Sequence, residues 1–136
     1  MTPRPASRIL DRLEEAPMKY MLLIYEPENV YEGPEGEKAL MDIVALHMKL
    51  GEDLRAQNVS YVGAPLQPST TATTVSTGAG GVQTLHDGPF AETREHLGGY
   101  YEVDVPDLDA ALYWARRIPV MPGGKVEVRP HADYGG

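Results

Sequence analysis

The feature that most constrains this chain is a helical period that appears twice, each time between two β-prone runs. Residues 18–25, Met18-Lys19-Tyr20-Met21-Leu22-Leu23-Ile24-Tyr25, form a strand-sized apolar run of the kind that is buried in a sheet. Residues 37–58 then place Leu40, Ile43, Val44, His47, Leu50 and Leu54 on one helical stripe, with Glu52, Asp53 and Arg55 largely off it. A second strand is expected over 61–66, stopped by Pro65 and Pro68. Two further runs, 72–77 and 82–86, flank Gly78-Ala79-Gly80-Gly81 and predict a hairpin with a long turn. Residues 98–105 alternate Tyr101, Val103 and Val105 against Tyr100, Glu102 and Asp104. Asp107 is placed to cap a second helix with the stripe Leu108, Ala111, Leu112, Ala115 and Ile118, ended by Pro119 and Pro122. A last strand over 125–129 puts Val126 and Val128 opposite Glu127 and Arg129.

This order predicts an α+β fold, the ferredoxin-like β-α-β-(hairpin)-β-α-β arrangement on an antiparallel sheet. Right-handed crossovers put both helices on one sheet face and leave the other open. That open face carries Tyr100, Glu102, Glu127 and Arg129, a half-polar surface suited to a second copy, so a homodimer closing into an α/β barrel is expected.

The length of 136 residues fits one domain. Its expected limits are 18–130, with an N-terminal extension over 1–17 and a frayed tail over 131–136. Ser7 is placed to cap a short helix over 8–15 in the extension, and Met18 can itself serve as the natural start. Twenty acidic residues against twelve basic ones give a net charge of -8, without the basic stripe that phosphate backbones require, so no nucleic-acid partner is expected. No apolar run spans a bilayer, and no signal-peptide core follows the first basic residues, so no membrane partner is expected. The chain has no cysteine, which excludes disulfides and thiolate chemistry and suits a reducing cytoplasm.

The run Asp87-Gly88-Pro89-Phe90-Ala91-Glu92-Thr93-Arg94-Glu95, followed by Leu97-Gly98-Gly99-Tyr100, resembles the hallmark of the DGPF family within the YCII-related group. Residues 18–25 and Val126-Glu127-Val128-Arg129-Pro130 extend the resemblance to roughly 18–130. The resemblance implies a dimeric α/β barrel and a family mostly without an assigned reaction, often encoded beside extracytoplasmic-function sigma factors. It also implies distant kinship with a dehydrochlorinase of chlorinated hydroquinones and a His-Asp pair in the wider group. His86 and His96, beside the hallmark, depart from its usual residues.

Asp87 is the first site candidate. It stands at the end of a hairpin strand before a Gly-Pro turn, where it can either project to a ligand or bond its own backbone. His47 is the second, a polar ring on an apolar stripe that must find a partner or cost about 1–3 kcal/mol. Met by the Asp87 carboxylate it would form an acid/base dyad; otherwise it is a core histidine bonded to a backbone carbonyl. Glu92, Tyr25 and Arg129 are candidate ligand-binding residues, with a solvated charge, an interface tyrosine and a cross-strand ion pair as the structural alternatives. Glu92, Arg94 and Glu95 fit one helical turn, and Arg94 and Glu95 read first as solvated charges or a local salt bridge. His86, Asp87, Glu92, Glu95 and His96 include metal-ligand types but match no compact zinc spacing, so neither metal nor cofactor is expected. Two functions stand: a small enzyme using Asp87 and His47 on an organic molecule, or a non-catalytic binding or regulatory module tied to a sigma-factor system.

Overall fold

The computed structural model describes residues 18–133. The expectations for a helix over 8–15 and for a start at Met18 concern residues outside that range. In chain order the elements are β1 (Met18–Glu26), α1 (Gly33–Ala56), β2 (Ser60–Pro65), β3 (Thr73–Thr77), β4 (Gln83–Asp87), β5 (His96–Val105), α2 (Leu108–Arg117) and β6 (Lys125–Pro130). The main sheet runs β2-β5-β1-β6 with every neighbouring pair antiparallel, while β3 and β4 pair only with each other. This is the ferredoxin-like α+β order expected from the sequence, with the hairpin inserted between β2 and β5.

Strand alternation decides which side chains meet the helices. Tyr20, Leu22 and Ile24 of β1 lie across from Val103, Tyr101 and Gly99 of β5, and from Pro130, Val128 and Val126 of β6. With Leu50 and Leu54 of α1, Ala111, Trp114 and Ala115 of α2, and Ile118, these strands build the core. The other sheet face carries Lys19, Met21 and Leu23 of β1 beside Asp104, Glu102 and Tyr100 of β5. A register shift between Ile24 and Tyr25 re-aims the end of β1, the effect of a β-bulge near a sheet rim.

Helix α1 begins four residues before the expected start. Pro34 fits the first turn, where no intrahelical donor is needed, and Glu35 faces the positive end of the helix. Its buried row is Gly36, Ile43, Leu50, Gly51 and Leu54, whereas Leu40 and Val44, expected in the core, are 44% and 47% exposed. They sit on the flank of the stripe, beyond the reach of the sheet beneath. Helix α2 is capped as expected, with the Ala110 amide donating to Asp107 Oδ1 at 2.9 Å. Its stripe is corrected in one respect: Leu108 is half-exposed and Trp114 takes the central buried place.

Two other expectations need correction. Glu92, Arg94 and Glu95 form no helical turn; the chain from Gly88 to Glu95 is irregular because no i-to-i+4 ladder follows the Gly-Pro turn. The tail is anchored at its start, where the His131 amide donates to Lys19 O at 2.8 Å.

Candidate functional site

His47 lies between α1 and the sheet, and both ring nitrogens are engaged. Nε2 is 3.1 Å from Pro119 O, a carbonyl that can only accept, so Nε2 carries the proton. Neutral Nδ1 then accepts from the Tyr101 hydroxyl at 2.7 Å. Burial holds His47 below the ordinary imidazole pKa, against the opposing pulls of the Pro119 carbonyl and the Glu26 charge. Burial likewise raises Tyr101. Tyr61 leans on Tyr101 with ring centroids 6.1 Å apart, and Arg55 donates to the Tyr61 hydroxyl at 2.7 Å. His47 is thus a half-buried, satisfied histidine bonded to a backbone carbonyl, the structural alternative to a dyad.

Asp87 is exposed at the end of β4 and is absent from the partners of His47, so the dyad does not form within one protomer. Tyr25 and Arg129 share the outer sheet face, but Arg129 lies opposite Met21 and Tyr25 opposite Lys125. Four residues of strand separate them, roughly 13 Å. His47 faces the opposite side of that sheet. Arg129 stands 3.9 Å from Glu127, a loose exposed pair, and Glu92 is exposed on the irregular segment. Among the described residues no three His, Asp or Glu side chains gather closely enough to hold a metal ion.

What the fold does assemble is a cleft of about 630 Å³ at the end of the sheet where β1 finishes and β5 begins. Pro27, Glu28, Asn29, Val30, Arg94, Glu95, His96 and Gly123 line it. The last third of the hallmark thus faces the loop that follows β1. Glu26 fixes two of the walls: its Oε2 accepts from the Tyr31 hydroxyl at 2.8 Å and from the Met121 amide at 2.7 Å. Burial, followed by the bond to Glu26, pushes the Tyr31 hydroxyl well above its ordinary pKa. Glu28 fixes the third contact, accepting from the Ser69 amide at 2.5 Å and from its hydroxyl at 2.9 Å. Glu95 is ion-paired with Lys125.

Reading the sequence missed Glu26, Glu28 and Gly123. The available signal is an acidic pair, Glu26 and Glu28, flanking Pro27 at the end of a buried strand, a pattern that solvated loop charges share. Arg94 and His96 were in view as hallmark neighbours, but no periodicity says which loop they face.

The YCII-related domain family matches residues 18–133, the whole described span. An uncharacterized protein of Rhizobium meliloti (strain 1021) is similar, 38% identical over 122 residues, covering 86% of this chain and 94% of the relative. With the β2-β5-β1-β6 sheet and the hallmark at its end, these matches show that the chain belongs to the YCII-related family.

Proposed function

We propose that this protein is a homodimeric binding module that takes a small organic ligand in the cleft between the loop after β1 and the hallmark segment. The observation that carries the reading is the cleft itself. Its volume of about 630 Å³ falls within the range of small-molecule sites, and its walls are held by hydrogen bonds that the Glu26 and Glu28 carboxylates accept. Binding is favoured over acid/base catalysis because His47, the expected base, has both nitrogens satisfied between α1 and the sheet. A regulatory role beside a sigma factor, which the resemblance implies, is compatible with such a module.

Pairing of two copies is supported by the outer sheet face, where Met21, Leu23 and Tyr100 are only partly covered and Val62 is 58% exposed. On that same sheet Asp104 Oδ1 is buried without a hydrogen-bond partner, an acceptor that a second copy can satisfy. The separate β3-β4 hairpin also exposes Val75 and Leu85, and an isolated hairpin is marginal in water.

A fragment screen read by two-dimensional amide NMR tests the site. Bound fragments are expected to move the amides of Asn29, Val30, Arg94, His96 and Gly123. Binding clustered elsewhere, with those amides unmoved, would overturn the assignment. Sedimentation equilibrium tests the assembly, and a mass of one protomer at all concentrations would remove it.

A further inference from the structure

We infer that the cleft is selective for a small organic anion, an oxyanion headgroup carried on an apolar body, and that Arg94 is the residue that grips it. This rests on the binding reading above and names the chemistry of its ligand.

The cleft contains two carboxylates, yet both are already committed within the protein. Glu28 spends both oxygens on Ser69, and Glu95 is neutralised by Lys125. The donors are in the opposite condition. Among the described residues, the side chains of Arg94, His96 and Asn29 make no hydrogen bond or ion pair, although all three line the cleft. An open guanidinium presents a planar fork of N–H groups that matches a carboxylate or phosphate edge with two parallel bonds. His96, half-buried at the first position of β5, and the Asn29 amide can each add a donor. Pro27 and Val30 supply apolar wall for the rest of the molecule.

The net charge of -8 sharpens the point. An acidic chain repels anions at long range, so anion selectivity must come from a local arrangement in which the carboxylate oxygens are already occupied by donors of the protein and the guanidinium of Arg94 is open. The cleft has that arrangement.

The test uses the full chain and three probes of similar shape: benzoate, phenyl phosphate and the neutral benzamide, titrated while the cleft amides are followed by NMR. At least one anion is expected to bind at least about tenfold more tightly than benzamide, a difference of about 1.4 kcal/mol. Comparing the two anions then tells whether the headgroup is carboxylate or phosphate. Arg94→Gln, a change at an exposed side chain, should reduce the anion to about the affinity that the same variant shows for benzamide. If benzamide moves the cleft amides as readily as both anions, or if Arg94→Gln keeps the anion advantage, the anion assignment falls while the binding cleft stands. If none of the probes moves those amides, the cleft reading falls as well.

Discussion

The Tyr101 hydroxyl donates to His47 Nδ1 at 2.7 Å across the helix–sheet interface, and the bond exists because Pro119 O fixes the proton on the other nitrogen. Truncating Tyr101 to Phe leaves a half-buried acceptor without a partner. That should lower unfolding free energy by about 1–3 kcal/mol in urea titrations. A double-mutant cycle with His47→Gln should show coupling of about 0.5 kcal/mol or more; strict additivity would mean the bond contributes nothing.

His47 also gives the fold a pH dependence of definite sign. Its folded pKa lies below the ordinary value because burial disfavours the charged ring. Above about pH 6.5 the ring is neutral in both states and has no effect. As pH falls below that, the unfolded chain takes up a proton that the folded chain resists, so stability declines until the folded pKa is passed. The Tm should therefore drop between pH 7 and pH 5 more steeply in the wild type than in His47→Gln. Parallel curves for the two proteins would contradict the assignment.

The difference between what the sequence revealed and what it concealed follows from range. Helix α1, helix α2 and the strand faces were legible because they depend on neighbours within a turn or two, and Asp107 capped α2 where its residue type required. Leu40 and Val44 were misplaced because a stripe says which residues share a helix face but not how wide a surface lies beneath. The cleft was less legible still. It depends on Glu26 reaching Tyr31 and Met121, and on Glu28 reaching Ser69, contacts separated by as many as 95 positions. The His47–Asp87 expectation failed within the protomer for the same reason: two residues can each be well placed locally and still face different neighbours.

Gly36 offers a test in which local propensity and packing disagree. Alanine inside a helix ordinarily gains about 0.5–1 kcal/mol over glycine. Here a Cβ would stand 2.2 Å from the Tyr31 carbonyl carbon, against the backbone that directly follows the cleft-lining residues 27–30. Gly36→Ala should therefore destabilise the protein, by about 1–3 kcal/mol as overpacking does, and should move the amides of 27–31. A gain in stability would show that the turn at Glu28–Tyr31 does not pack as described.

Asp53 joins the two helices through charge, with Lys49 donating at 2.9 Å from its own helix and Arg117 pairing from α2. Hydrogen bonds from Lys49 and then Arg117 hold its carboxyl below the ordinary range. The sign is opposite to that of His47: the contribution is present above the ordinary carboxylate pKa and lost as pH falls through the lower folded value. Because these groups are exposed and screened, Asp53→Asn should lower Tm only slightly, and the difference should shrink in high salt. A large, salt-independent loss would indicate a packing role instead.

The outer sheet face leads to the prediction with the widest consequence. Val62, 58% exposed, lies opposite Glu102 in the β2–β5 register, so a negative side chain introduced there meets like charge within its own protomer. In a dimer built on this face it would also bury charge against the partner, whereas in a lone protomer it would remain in water. Val62→Glu should thus shift sedimentation from two copies to one, abolish the concentration dependence of Tm that a dimer shows, and spare the fold as judged by amide dispersion. Val62→Thr, similar in shape and uncharged, should keep the dimer. If the glutamate variant sediments as the wild type does, at every concentration, the two copies do not meet through this face.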